Sequence, residues 1–290
     1  ARFVITTFII LFLIFTVLSL AWRSPTSTYY TISANDRVLF IGDTNTMIAS
    51  AKEYGFIKVF ENEVHKLVPN VTFYYGGRKN AHPLDILENL ESFLIAEVNP
   101  TKIIYIVGND QFSDDSLTDS TTHLMQIRKD TEKLIARLIQ DSIPTIICST
   151  LLIGERIDGS NAFDNLLEEF VGITKRIASE FGAMYIDLYS QIQRHLEIVN
   201  LDGSNMGNLT LNGRILNESG HMLVALTLLH ELGFAQTPTS SNSNSYSSLH
   251  TDLDRNVVLF QQVTQRQVKE NLIREEQLKQ RYSNIVRDEM

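Results

Sequence analysis

Four short blocks of this 290-residue chain carry side chains that could do chemistry. The first, Val38-Leu39-Phe40-Ile41-Gly42-Asp43-Thr44, is an apolar run ending on a carboxylate and a hydroxyl. The second, Tyr75-Gly76-Gly77-Arg78, offers glycine peptide N–H groups that another atom can approach closely. The third, Val107-Gly108-Asn109-Asp110, adds a carboxamide and a second carboxylate. The fourth is Asn212-Gly213-Arg214-Ile215-Leu216-Asn217-Glu218-Ser219-Gly220-His221. A hydroxyl, fixed N–H donors and a histidine are the ingredients of acyl transfer through a covalent intermediate.

In this order the blocks resemble the SGNH (GDSL-type) hydrolase superfamily, over roughly Asp36 to Gly233. That family has Gly-Asp-Ser in block one and Asp-Gly-x-His-Leu-Asn-x-x-Gly in block four. The resemblance implies a serine nucleophile and a histidine base, oriented by an aspartate three residues earlier. It also implies an oxyanion hole built from the nucleophile's own N–H, a block-two glycine N–H and the block-three asparagine. Carried over residue by residue, the chemistry is altered. Thr44 stands in place of the serine, and its methyl crowds the attack and stiffens χ1. Asn212 stands in place of the aspartate, a change that costs a serine protease about 10⁴ in turnover. Ile215 stands in place of the histidine, and an aliphatic side chain cannot accept a proton. The donors Gly77 (or Gly76) and Asn109 are retained. The resemblance thus implies a pseudoenzyme whose vestigial site is Thr44, Gly77, Asn109, Asn212 and Ile215, with the oxyanion hole surviving.

Two other histidines offer a replacement base. His221 lies six residues past Ile215, in a helix expected to begin near Asn217. His82 lies in the loop after block two. The ordinary reading of both is a loop or surface histidine. Arg78, Lys79 and Arg214 fall near the same cleft, either paired with Asp43, Asp110 or solvent, or forming a basic pocket for a phosphate or carboxylate. No Cys/His metal spacing and no Walker-type phosphate loop occurs, so neither metal nor cofactor is expected.

The elements that must position these blocks are legible in the hydrophobic pattern. Continuous apolar runs at Val38–Ile41, Val71–Tyr75, Ile103–Val107, Pro144–Ser149 and Ala183–Leu188 suit strands buried on both faces. Between them, Leu124, Ile127, Leu134, Ile135 and Leu138 recur at helical period, as do Leu166, Leu167, Phe170, Ile173 and Ile177. Alternating strands and helices predict an α/β fold, a three-layer α/β/α doubly wound parallel sheet of flavodoxin-like, SGNH hydrolase type. Its site lies at the carboxyl ends of the strands, where Gly42, Gly77 and Gly108 all fall.

The two ends differ from this domain, which is placed at residues 36–234. Phe3 to Trp22 holds no charged residue, and about twenty apolar residues span a bilayer as a helix. The spacing therefore predicts a transmembrane anchor over residues 1–24. Arg2 and Arg23 flank it one on each side, which leaves its orientation undecided. Residues 235–250 read as a polar linker, and residues 251–290 as a charged helical arm in need of a surface. A net charge of −9 gives no general attraction for nucleic acid or an anionic lipid surface. Cys148 is the one cysteine, so no intrachain disulfide forms.

Two functions of different class follow. One is a non-catalytic SGNH-hydrolase-like subunit or scaffold of a membrane protein complex, held by the anchor and the arm. The other is a membrane-tethered esterase or acyl hydrolase that uses Thr44 with a rebuilt base. The expected location is a single-pass membrane protein, of the mitochondrial inner membrane or of a secretory-pathway membrane.

Overall fold

The five apolar runs become five strands: β1 (Arg37–Gly42), β2 (Thr72–Gly77), β3 (Lys102–Ile106), β4 (Thr145–Cys148) and β5 (Met184–Ile186). The computed structural model describes residues 30–90, 95–113, 116–117 and 119–234. The strands form one sheet in the order β2-β1-β3-β4-β5, every pair parallel. This is the flavodoxin-like order, whose direction reverses between β1 and β3. β1, β3 and β4 are buried almost throughout, as strands covered by helices on both faces must be.

The helices are α1 (Thr44–Ala51), α2 (Phe56–Leu67), α3 (Pro83–Asn89), the single turn α4 (Ile95–Val98), α5 (Ser120–Gln140), α6 (Asp164–Glu180), α7 (Leu188–Val199) and α8 (Glu218–Glu231). They pack in two groups. α8 packs against α2 and α7, while α5 packs against α3 and α6. α5 buries Leu124, Ile127, Leu134, Ile135 and Leu138, and α6 buries Leu166, Leu167, Phe170, Ile173 and Ile177. Both are the faces the periodicity marked. The run Ala183–Leu188 is shorter as a strand than its composition suggests. Asp187 ends it by capping α7, accepting from Ser190 N–H at 3.0 Å and Ser190 Oγ at 2.9 Å.

The core is aromatic on one side of β1, where Phe40, Phe60 and Phe73 meet at ring separations of 5.8–6.3 Å. Cys148 is buried in β4, and burial pushes its thiol up, away from reactive thiolate character. Among the described residues, no helix is long and apolar enough to cross a membrane. The expected anchor at 1–24, the linker at 235–250 and the arm at 251–290 lie outside the described residues.

Candidate functional site

The site assembles at the switch between β1 and β3. Asp43 follows β1 and caps α1, its Oδ1 accepting from Asn45 N–H at 3.0 Å. Its Oδ2 crosses to the next strand and accepts from Asn109 N–H at 2.8 Å and Asp110 N–H at 3.4 Å. A glycine is required opposite, because a Cβ on Gly108 would lie 2.6 Å from the Asp43 Cβ. Gly77 is constrained in the same way, since a Cβ there would stand 2.4 Å from Met47 N. Asp43 is fully buried, and burial, with Asp110 alongside, pushes its carboxyl up to about 6.

Thr44 opens α1 and is held on three sides. Its N–H donates to Asp110 Oδ2 at 3.0 Å, and its hydroxyl donates to the same oxygen at 2.5 Å. The hydroxyl in turn accepts from Asn80 N–H at 2.9 Å. The partners of Thr44 Oγ are therefore a carboxylate and a peptide N–H, with no histidine nitrogen among them.

Asn45, which the sequence reading passed over, joins the first block to the fourth. Its Nδ2 donates to Arg214 O at 3.1 Å, and its Oδ1 accepts from Leu216 N–H at 3.0 Å. The fourth block thus reaches the site expected for it. Within it, Asn212 Oδ1 accepts from Arg214 N–H at 3.1 Å and Ile215 N–H at 2.9 Å. Asn212 is an exposed side chain closing its own turn, in the manner of Asx turns. Ile215 is half-buried, in that same turn.

A second carboxylate missed from the sequence holds this loop from behind. Glu155 is fully buried. Its Oε1 accepts from Leu209 N–H at 2.9 Å, Thr210 N–H at 2.5 Å and Thr210 Oγ at 2.5 Å. Its Oε2 accepts from Asn208 N–H at 2.8 Å. The signal for it in the sequence was slight, a single acid in an otherwise apolar and small stretch after β4.

The oxyanion donors need correction. The resemblance keeps Asn109 as a donor toward the cleft, but its Nδ2 donates inward, to Leu152 O at 2.9 Å and Arg214 O at 3.5 Å. Thr44 N–H, a second of the hole's three implied donors, is already engaged by Asp110. Gly76 and Gly77 close β2 beside α1.

Neither substitute histidine serves Thr44. His221 is fully buried in α8, between Tyr54 and Phe56 at ring separations of 5.8 and 5.7 Å, and its Nδ1 accepts from Phe56 N–H at 3.4 Å. Burial pushes it down to about 4, so it stays neutral. It is a core histidine, where a loop or surface one was expected. His82 caps α3, its N–H donating to Asp85 Oδ2 at 2.9 Å. Of the three cations, Arg214 stacks over Phe163 at 5.0 Å and donates from Nη1 to Phe112 O at 2.7 Å. Arg78 and Lys79 are exposed. A cleft of about 340 Å³ opens beside the fourth block, lined by Arg156, Asn161, Phe163, Asn205, Asn212 and Arg214 with other residues. Among the described residues, no group of His, Cys, Asp or Glu is placed to hold a metal ion.

No protein-family model matches the chain, and no curated protein does. Solved structures do. The acetyl xylan esterase AlAXEase matches with a TM-score of 0.61 at 22% identity, over 67% of this chain and 98% of that one. A variant of Axe2, an acetyl xylan esterase from Geobacillus stearothermophilus, matches with a TM-score of 0.61 at 16% identity, over 72% and 99%. LAE5, an alpha/beta hydrolase enzyme from the metagenome of Lake Arreo, Spain, matches with a TM-score of 0.61 at 15% identity, over 72% and 100%. Three other Axe2 structures are catalytic mutants that replace a serine, an aspartate and a histidine, the last two three positions apart. At these identities the likeness is one of fold. The sheet order and the four blocks at its carboxyl edge agree with it: the chain has an SGNH-hydrolase-like fold.

Proposed function

We propose that the chain is a non-catalytic, SGNH-hydrolase-like subunit or scaffold of a membrane protein complex. One observation carries the non-catalytic part. The hydroxyl and N–H of Thr44 both donate to Asp110, while the position for a base is the hydrocarbon of Ile215. Asn212 and Ile215 keep the three-residue spacing of the aspartate and histidine mutated in Axe2, but neither can orient or accept a proton as that pair would. The membrane and complex part rests on the apolar segment Phe3–Trp22 and the charged arm at 251–290. An anchor makes a second contact effectively intramolecular, so a weak helix interface suffices. An organellar membrane, such as the mitochondrial inner membrane, fits a chain without disulfides; a secretory-pathway membrane is the other placement.

A second reading has one contact in its favour. Asp110 accepts the Thr44 hydroxyl proton at 2.5 Å and so stands where a rebuilt base would. Against it, the same oxygen takes the Thr44 N–H that an oxyanion would need. Hydrolysis of an activated acetyl ester decides between the two. The purified protein is expected to show the same rate as Thr44→Ala. Turnover that disappears in Thr44→Ala overturns the non-catalytic reading. Deleting residues 236–290 tests the other half, and is expected to shrink the detergent-solubilised assembly while leaving the domain folded.

A further inference from the structure

We propose that the oxyanion position of this fold is a small-carboxylate site, and that the chain's own Asp110 side chain occupies it. The inference rests on the non-catalytic reading above and gives it a physical cause. In acyl transfer, the oxyanion sits about 3 Å from its N–H donors. It is also bonded to the same carbon as the nucleophile's oxygen, so it lies close to that atom. Asp110 Oδ2 meets the first condition at one donor, 3.0 Å from Thr44 N, and the second at 2.5 Å from Thr44 Oγ.

The occupancy is built into the backbone. Asp43, buried beneath the turn, accepts the N–H groups of both Asn109 and Asp110 and so aims the Asp110 side chain. Thr44 Oγ is locked between the Asp110 carboxylate and Asn80 N–H, which fixes the direction of its proton. The Asn109 amide, which would draw a substrate oxygen further in, points instead to Leu152 O. An acyl oxygen or a free carboxylate can reach Thr44 only by displacing a tethered carboxylate, whose local concentration no solution ligand matches. Two carboxylates remain side by side because Asp43 accepts from three N–H groups and Asp110 from the N–H and hydroxyl of Thr44.

Asp110→Ala removes one carboxylate, and formate is the fragment that returns it. The thermal midpoint of the full chain in detergent is followed by circular dichroism in formate or in chloride at equal ionic strength. Asp110→Ala is expected to melt at least about 4 °C below wild type, as the loss of a charged hydrogen-bond acceptor requires. Formate at 100 mM, taken as about the dissociation constant of a weak site, is expected to raise the Asp110→Ala midpoint by about 1 °C. Wild type and the double variant Thr44→Val/Asp110→Ala are expected to show no formate response. A formate response absent from Asp110→Ala, or equal in the double variant, overturns the proposal.

Where Asp110→Ala does not fold, the Thr44 hydroxyl proton gives the same answer. It is expected to exchange slowly in the NMR spectrum of wild type and rapidly in Asp110→Asn. Rapid exchange in wild type overturns the proposal. Thr44-dependent ester turnover would instead sink the non-catalytic reading while leaving the formate result to be read on its own.

Discussion

Two carboxylate clusters stand at the carboxyl edge of the sheet, each with one fully buried acid, and they are built differently. Glu155 gathers three peptide N–H groups and one hydroxyl, all from residues 208–210. The hydrogen-bond partners of its carboxylate among the described residues are all donors of one loop, and what it does is hold that loop. The Asp43 and Asp110 pair also gathers N–H donors, but two acids share the space, and Asp43 is pushed up, chiefly by burial and then by Asp110. A loop needs one acceptor. Two adjacent acids are costly, and on the proposal above Asp110 is turned onto Thr44, at the place the resemblance gives to a nucleophile. The comparison separates a carboxylate that supports the site from one that fills it.

Glu155→Ala offers the largest test of this contrast. It leaves three peptide N–H groups, two of them buried, without an acceptor, so the loss of stability is expected to be about 3 kcal/mol or more. Glu155→Gln keeps an acceptor oxygen and is expected to cost about half as much. Urea unfolding monitored by circular dichroism measures both. A loss under about 1 kcal/mol in Glu155→Ala would mean that the Thr210–Leu216 bridge holds the loop by itself.

pH gives the next test, because the titration of Asp43 is masked by a histidine. Asp43 is raised from 3.8 to about 6, so between those values the native state holds a proton that the unfolded chain has released. That contribution favours the fold at low pH and is lost as pH rises through 6. Asp164, raised to about 6 chiefly by burial, acts in the same direction. His221 is lowered from 6.5 to about 4, so in that window the unfolded chain holds the extra proton and stability rises with pH. His195, lowered by burial, acts with it. His221→Phe, which keeps the packing between Tyr54 and Phe56, is expected to flatten or reverse the rise of the urea midpoint between pH 4 and 6.5. An unchanged slope would show that His221 is not the group opposing Asp43.

The smallest expected effect is at Asn212. Its carboxamide only closes an exposed turn, so Asn212→Ala is expected to cost about 0.5–1 kcal/mol. A loss comparable with that of Glu155→Ala would place Asn212 among the supports of the site and blur the contrast.

How far the sequence could be read depended on what each feature needs. The five strands were legible because a strand covered on both faces must be a continuous apolar run. The two long helices were legible because a one-sided burial leaves a period. α1, α2, α3 and α7 were not singled out: they are short, or run on directly from a strand end, and their starts are set by caps such as Asp43 and Asp187 that resemble any other acid. The triad substitutions at Thr44, Asn212 and Ile215 were visible because block spacing is a property of the chain itself.

The sequence alone therefore determined the sheet, the order of the four blocks and the absence of a histidine at position 215. It also marked the apolar N-terminal segment and the polar C-terminal one. Only the tertiary structure decided where each polar side chain points. Whether Asn109 donates into the cleft or to Leu152 O depends on a partner 43 residues away. Whether Asp110 pairs with a cation or seats on Thr44 depends on one 66 residues away. A polar side chain's role is fixed by the group it meets, and chain spacing does not carry that information until the sheet has brought the two together.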